Sequence, residues 1–310
     1  MTSLGWLTQP AVFPWVALAF GLCAGSILNV VIHRLPRMLE RDWLANIPEI
    51  LEEAREVPDR AVAQRLASEI RQATTRLDSE PLGLAMPRSR CPACGHRIAA
   101  WENVPVFSWL LLRGRCSACR SRISIRYPLV ELLAGSGAAY AAWRFGFGLA
   151  ALGAILFIWG TITLALIDQA TGYLPDDITL PMLWAGLLLN AFGAFVPLTE
   201  AVIGAAAGYL ALWLVYWGFK LLTGKEGMGY GDFKMNAAVG AFLGWKMLPL
   251  VILVSSVVGV VFGIAQMLAA RGGWDGGFKF HFGPYIAIAG IVGLFWGQAI
   301  MNLIPAIRIL

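Results

Sequence analysis

Long apolar segments recur along the whole chain and limit what it can fold into. A helix needs about 20 mostly apolar residues to cross the hydrocarbon core of a bilayer, and eight segments approach or reach that length. Charged residues are only 14% of the sequence, whereas soluble domains have about 25%. The sequence therefore predicts an all-α polytopic membrane protein. The predicted spans are 11–33, 127–144, 149–168, 174–195, 201–221, 232–248, 249–270 and 284–304.

Most of the charged residues lie in one segment that follows the first predicted span. Residues 34–126 contain 16 Arg, no Lys and 11 Asp or Glu, which is 27 of the 43 charged residues in the chain. The net charge of +5 therefore belongs to one insert, and we expect membrane lipid but no nucleic acid as a partner. The predicted domains are 1–35 with the first span, a cytoplasmic domain at 36–126, and a seven-helix domain at 127–310.

The same insert predicts the orientation of the chain. Arg-rich loops stay on the cytoplasmic side of a membrane, so we expect the insert in the cytoplasm. Eight spans then place both termini on the opposite side of the membrane from the insert. They also place the end of the third span and the start of the sixth at the cytoplasmic face.

The first part of the insert, residues 48–79, has the pattern of a helical hairpin. Apolar residues recur at spacings of three and four across 59–78, with charged residues between them, which is typical of an amphipathic helix. We expect this helix to pack within the cytoplasmic domain. Its apolar positions are Val62, Leu66, Ile70, Ala73 and Leu77.

Four cysteines follow in two pairs, each with the spacing C-x2-C. Two such pairs can bring four thiolates together in a tetrahedral site that suits zinc. A reducing cytoplasm disfavours disulfides, while redox thiols and an iron–sulfur cluster remain alternatives. Four cysteine ligands leave no open position on the metal, so we expect a structural zinc ion. The predicted ligands are Cys91, Cys94, Cys116 and Cys119.

Two acidic residues lie at span ends, where a charge is costly and therefore often functional. Asp168 ends the third predicted span, and Asp232 begins the sixth after a run with Gly227, Gly229 and Gly231. Two carboxyls within a few Å do not both ionise easily and share a proton. One can then activate a water while the other polarises a carbonyl. Helix capping, ion pairing and an ion pathway are the alternatives.

Several motifs, taken together, resemble the bifunctional prepilin peptidases, a family of membrane aspartic proteases of the GxGD type. The resemblance covers nearly the whole chain, and the motifs follow one another in the family's order. They are GSILNVVIHRLP at 25–36, the two cysteine pairs with WENVP at 101–105 between them, RYPLVEL at 126–132, Asp168 with LPD at 174–176, GMGYGDFK at 227–234, and FGPY at 282–285.

This resemblance implies a protease of the bacterial inner membrane with eight spans and both termini in the periplasm. Such a protease removes the basic leader from the prepilins of type IV pili and from the pseudopilins of type II secretion. It implies Asp168 and Asp232 as the catalytic pair and the four cysteines as zinc ligands. It further implies methylation of the new N-terminus by S-adenosylmethionine. Glu40, Gly114 and Arg115 are the candidate residues for methyl transfer.

Two other functions stay open at this point. The chain could be a proton- or ion-coupled carrier with a zinc docking module, although both aspartates lie at span ends rather than at the midplane where carriers bind ions. It could also be a peptidase without methyl transfer. The basic leader that the resemblance implies needs acidic partners, and the candidates to contact it are Glu40, Asp42 and Glu226.

Overall fold

The computed structural model describes residues 5–53, 60–77, 82–269 and 281–303. Within these ranges the regular elements are helices, with two isolated β-bridges. Three short 3-10 helices lie at Gly5–Thr8, Ala100–Asn103 and Trp245–Met247. The α-helices are α1 (Phe13–Glu53), α2 (Arg60–Leu77), α3 (Phe107–Leu111), α4 (Arg126–Phe145), α5 (Leu149–Thr171), α6 (Asp176–Ala191), α7 (Leu198–Thr223), α8 (Tyr230–Leu243), α9 (Leu248–Ala269) and α10 (Gly283–Leu303).

A helix lies at each of the eight predicted spans, which confirms the all-helical class. Five of the described helical segments are long and apolar enough to cross a membrane: α1, α5, α7, the segment Trp245–Gln266, and α10. The helices α6 and α8 have only 16 and 14 residues, below the usual length of a span. The chain is thus a multi-pass membrane protein by helix length and composition, and the count of eight spans stays a prediction.

The first helix extends well beyond the predicted span. α1 continues past residue 33, through Pro36 and Pro48, and ends at Glu53. The sequence predicts the end of the first span at residue 33, because charged residues begin there and only apolar residues favour contact with lipid. The helical backbone itself continues into the polar segment, so the end of the apolar run and the end of the helix are different positions.

The amphipathic helix expected at 59–78 is present as α2, but its buried face differs from the predicted one. Ala63 and Ala67 are buried, whereas Val62 and Leu66 are about half exposed. Small side chains allow closer packing than the larger aliphatic residues one position before them. The turn of the predicted hairpin, residues 54–59, and its end at 78–79 lie outside the described residues.

Two compact units make up the fold: Ser26–Leu129, and Met1–Gly25 together with Val130–Leu310. We call the first the cysteine unit and the second the apolar unit. In the cysteine unit, Arg34 of α1 donates hydrogen bonds to the carbonyls of Gly83 and Pro87. Asn29, also on α1, donates to the carbonyl of Tyr127 at 3.0 Å. These bonds attach both ends of the segment 83–127 to α1.

The short helix α8 forms the centre of the apolar unit. It is buried at nearly every position from Asp232 to Leu243, as expected for a helix that is apolar all round. It packs against α6, α7 and α10. Gly204 of α7 and Gly240 of α8 meet backbone to backbone, because a Cβ on either residue would overlap the other's backbone. Such small-residue contacts are the common way for membrane helices to approach closely.

A buried asparagine fixes the far end of α8. The amide of Asn190 on α6 donates to the carbonyls of Ala241 and Phe242, at 2.8 and 3.1 Å. Its carbonyl oxygen accepts from the backbone N–H groups of Phe195 and Val196. One side chain therefore satisfies backbone groups at the end of α8 that would otherwise be unpaired in an apolar interior.

Large apolar side chains cover much of the outer surface of the apolar unit. A soluble protein rarely exposes so many, whereas a lipid bilayer accommodates them. Examples on α7 and α9 are Leu210, Leu214, Val215, Leu222, Val257, Val260, Val261 and Ile264, all at least half exposed.

Candidate active site and metal centre

Asp232 lies in the first turn of α8, and its carboxyl group is buried. Its Oδ2 accepts a hydrogen bond from the backbone N–H of Gly229 at 3.3 Å, which caps the start of the helix. Its Oδ1 is buried and has no hydrogen-bond partner within the described residues. An unpaired buried oxygen is costly, so this atom is free to bind a water or a substrate group.

Asp168 lies near the end of α5 and is 5% exposed. Its Oδ2 accepts a hydrogen bond from the backbone N–H of Gly283, the first residue of α10, at 3.0 Å. The positive end of a helix dipole stabilises a negative charge at this position. A Cβ on Gly283 would lie 2.7 Å from Asp168 Oδ2, so this contact requires glycine.

The two carboxyl groups are close enough for the charge of Asp168 to act on Asp232. They come from different helices, as the sequence pattern predicted. The segments that carry them also touch, because a Cβ on Gly231 would lie 2.7 Å from the Cβ of Leu174. Two buried carboxyls that feel each other's charge do not both ionise easily, which favours one proton on the pair.

An ion pair next to Asp232 joins α8 to α6. The ammonium of Lys234 donates to both carboxylate oxygens of Asp176, at 2.8 and 2.6 Å. Asp176 and the exposed Asp177 occupy the first turn of α6, where the helix dipole favours acidic residues. The pair fixes the start of α8 relative to the start of α6.

A second cluster holds the loop that precedes Asp232. Glu226 accepts hydrogen bonds from Lys220 at 2.9 Å and from the hydroxyl of Tyr216 at 3.1 Å. The Lys220 ammonium, and then the Tyr216 hydroxyl, hold the pKa of Glu226 below its usual range. Because a lysine already compensates its charge, Glu226 is a weaker candidate to contact a cationic leader than the sequence indicated.

The four cysteines lie on two knuckles that repeat the same pattern. R-C-x-A-C-x-x-R occurs at 90–97 and again at 115–122. An isolated β-bridge joins the two arginines of each copy. In the first knuckle the N–H of Cys91 donates to the carbonyl of His96, and in the second Cys116 donates to Ser121, both at 2.9 Å. The two copies therefore form the same turn.

The four Sγ atoms all lie within 4.8 Å of one another. In a tetrahedral zinc site, Zn–S bonds of about 2.3 Å place the sulfurs roughly 3.8 Å apart. The Sγ atoms of Cys91 and Cys119 are 3.8 Å apart, which matches. The cysteines thus fit a zinc ion in both donor type and geometry, and with four sulfur ligands it would be structural.

The four thiols influence one another's protonation. The hydroxyl of Ser121, followed by the backbone N–H groups of Ala93 and Cys94, lowers the pKa of Cys91 to about 6. The pKa of Cys94 rises to about 12: a hydrogen bond from the His96 backbone lowers it, but its neighbouring cysteines, led by Cys119, raise it more. Crowded thiols cannot all ionise alone, whereas a bound divalent cation stabilises four thiolates together.

Among the described residues, no hydrogen bond or ion pair joins the three candidate residues for methyl transfer to one another. Glu40 is exposed on α1. Gly114 has a φ of 66° and packs on the ring of Trp109, which is the role of a turn leading into the second knuckle. Arg115 is exposed beside it. Their role in methyl transfer stays a prediction.

Sequence reasoning missed the groups that hold the predicted residues in place. The sequence places Gly283 in the FGPY motif but gives no sign that its backbone N–H binds Asp168. Lys234 is part of the GMGYGDFK motif, but its partner Asp176 lies 58 residues earlier in the chain. Glu102 is part of the WENVP motif, and Ser117, which lowers its pKa, lies 15 residues later. Spacing alone does not indicate such contacts, because packing brings the partners together.

Two family models match the chain in succession. One, described as "Bacterial Peptidase A24 N-terminal domain", matches residues 19–145, and the other, described as "Type IV leader peptidase family", matches residues 155–264. No solved structure matches the chain.

Curated relatives are similar over almost their full length. A prepilin leader peptidase/N-methyltransferase of Stutzerimonas stutzeri is 49% identical over 305 residues, which cover 97% of this chain and 96% of the relative. Proteins with the same name from Pseudomonas aeruginosa and Aeromonas salmonicida are both 48% identical, over 94% and 96% of this chain and 93% and 94% of their own lengths.

Proposed function

Because the chain belongs to the type IV leader peptidase family, we propose that it cleaves the leader peptides of prepilins and pseudopilins and then methylates the new N-terminus. The observation that carries the protease function is the buried pair of Asp168 and Asp232, with one carboxyl oxygen left unpartnered among the described residues. The names of the relatives support both activities.

We further propose that Asp168 is the base and Asp232 the acid of the pair. The N–H of Gly283 stabilises a negative charge on Asp168. The unpartnered Oδ1 of Asp232 is suited to hold the shared proton. A water between them loses a proton to Asp168 as its oxygen attacks the scissile carbonyl carbon, and Asp232 donates its proton to the carbonyl oxygen.

The tetrahedral intermediate then collapses. Asp168 passes its newly gained proton to the leaving amine nitrogen, the C–N bond breaks, and Asp232 recovers a proton from one hydroxyl of the intermediate. Both carboxyls return to their starting states, so each turnover consumes one water. The surrounding apolar residues of α5, α8 and α10 exclude other water and strengthen these charge interactions.

The location follows the same proposal. The eight segments cross the bacterial inner membrane, the domain at 36–126 lies in the cytoplasm, and both termini are periplasmic. The active site then faces the cytoplasm at the membrane surface. A zinc ion on the four cysteines supplies a structural cross-link within the 36–126 domain. Methyl transfer from S-adenosylmethionine belongs to this domain as well, although the described residues do not outline the donor's pocket.

The test uses the purified full chain with a prepilin substrate and labelled S-adenosylmethionine. Asp168→Asn and Asp232→Asn should each reduce leader cleavage by about 10³-fold, since acid–base groups contribute roughly 10²–10⁴-fold. Asp177→Asn, at an exposed position in the first turn of α6, is the matched control. Unchanged cleavage by either active-site variant would refute the catalytic pair.

The same reactions test the second activity. Transfer of the label to the cleaved pilin supports methylation, whereas cleavage without transfer indicates a peptidase alone. Supplying pilin that already lacks its leader separates the two steps, because methylation of that substrate should not need Asp168 or Asp232.

A further inference from the structure

Glu102 is a buried carboxylate within the cysteine unit that no metal site uses as a ligand. It lies in the 3-10 helix Ala100–Asn103, between the two knuckles in sequence, and its side chain is 6% exposed. Its Oε2 accepts the backbone N–H of Ala99 at 2.7 Å and lies 3.2 Å from His96 Nε2. The hydroxyl of Ser117, followed by the N–H of Ala99, holds the pKa of this carboxyl below its usual range.

These three side chains do not have the geometry of a serine-hydrolase triad. Ser117 Oγ lies 3.3 Å from His96 Nε2, the same ring nitrogen that faces Glu102. In a triad, the acid and the nucleophile bind opposite nitrogens of the imidazole. The carboxylate accepts only, so His96 Nε2–H and the Ser117 hydroxyl both donate towards it. The cluster is therefore built to hold positions, and it has no route for relaying a proton.

The donors come from different knuckles. His96 closes the turn that carries Cys91 and Cys94, whereas Ser117 lies between Cys116 and Cys119. We propose that Glu102 is a positioning residue that joins the two knuckles and thereby sets the affinity of the four-cysteine site for its metal ion. This inference rests on the zinc site proposed above.

Glu102 can affect the affinity for the metal because the four-cysteine site is assembled from two halves. Each knuckle supplies two sulfurs, and an ion must hold the halves together unless the protein does so. Glu102 lowers that cost by fixing the separation of the halves through hydrogen bonds that are part-buried at His96 and Ala99. A second link exists, because Ser121 Oγ of the second knuckle lies 3.5 Å from Cys91 Sγ of the first. Loss of Glu102 should therefore weaken metal binding without abolishing it.

The experiment measures zinc affinity of the purified full chain by competition with a chromogenic chelator. Groups that support metal ligands typically change affinity by 10- to 100-fold, and we expect a loss of about that size for Glu102→Ala. Glu102→Gln should lose less, since its amide oxygen still accepts the N–H of Ala99 but cannot take all three donors. Glu49→Gln, at an exposed position of α1, is the matched control and should keep the affinity.

Two further measurements separate positioning from general damage. Cobalt(II) bound to each variant should keep the absorption of a tetrahedral tetrathiolate, because the four ligands are unchanged. Ser117→Ala should weaken binding alone but add little in the Glu102→Ala background, since coupled residues are not additive. If Glu102→Ala does not fold, Glu102→Gln and Ser117→Ala carry the test.

The outcomes are distinguishable. Zinc affinities of Glu102→Gln, Glu102→Ala and Ser117→Ala within twofold of the control would overturn the positioning role while leaving the zinc site intact. Wild-type protein that binds no zinc would overturn the site itself, and the positioning role with it. A changed cobalt spectrum in the Glu102 variants would also overturn the proposal, because it would mean that the ligand set depends on Glu102.

Discussion

The four clustered cysteines and the paired aspartates are both brought together by the fold, but over different lengths of chain. The four cysteines lie within residues 91–119, and each pair is placed by one local turn that closes on itself. The aspartate site uses residues 168, 232 and 283, and the hydrogen bond that holds Asp168 joins residues 115 apart. Local turns build the first site, and helix packing builds the second.

This difference explains what the sequence revealed about each site. C-x2-C spacing is a direct record of a turn, so the four cysteines that lie together could be named from it. The aspartates could be named because so few acidic residues occur in the apolar part of the chain. Their supporting groups could not be named, since a backbone N–H at Gly283 leaves no mark in composition or periodicity.

The fold was predictable to a similar extent. Every predicted span has a helix because apolarity over about 20 residues decides that question. The end of α1 and the buried face of α2 were not predictable, because both depend on tertiary contacts. The central place of α8 also depends on packing, since a buried short helix and part of a span have the same apolar composition.

The largest effect should come from removing one metal ligand. Cys91→Ser should lose most of the bound zinc, since three thiolates remain where four are needed. Cys23→Ser, at the exposed cysteine of α1, should keep a full complement of metal. Metal content by elemental analysis decides the question. Stoichiometric zinc in Cys91→Ser would show that the knuckles are not a four-cysteine site.

Gly283→Ala should affect the aspartate site without touching the metal. A methyl group 2.7 Å from Asp168 Oδ2 must displace the carboxylate or the start of α10, and we expect a loss of about 10²-fold in leader cleavage, as small misplacements of catalytic groups can cause. Gly218→Ala is the control, because a Cβ there meets no atom within 4 Å.

The zinc content of Gly283→Ala and of its control, Gly218→Ala, should also be measured. If packing builds one site and local turns the other, Gly283→Ala protein keeps its zinc while losing activity. Loss of zinc together with activity in that variant would contradict the comparison.

Lys234→Gln should have a smaller effect on cleavage, about 10-fold. It removes the ion pair that fixes the start of α8 to Asp176, while Asp232 and its cap remain. Lys246→Gln is a close control, since Lys246 and Glu200 form an ion pair of the same length, 2.6 Å, in the same unit. Kinetics should show a lower kcat for Lys234→Gln alone. Equal losses in both variants would mean that any ion pair of the unit matters, not this one.

Glu226→Gln should have the smallest effect, less than about twofold on the KM for prepilin. Its carboxylate is already paired with Lys220, and exposed pairs contribute little. A large rise in KM that grows with the number of basic residues in the leader would instead identify Glu226 as a leader contact.

The bond from Gly283 to Asp168 also has a consequence for the order of biosynthesis. Residue 283 of 310 is the last part of the site to leave the ribosome. A nascent chain can insert both aspartates into the membrane while Asp168 still lacks its donor. Under the proposed mechanism, the protease becomes competent only after α10 has docked, so a nascent chain that still lacks α10 does not hydrolyse peptides beside the translocation machinery.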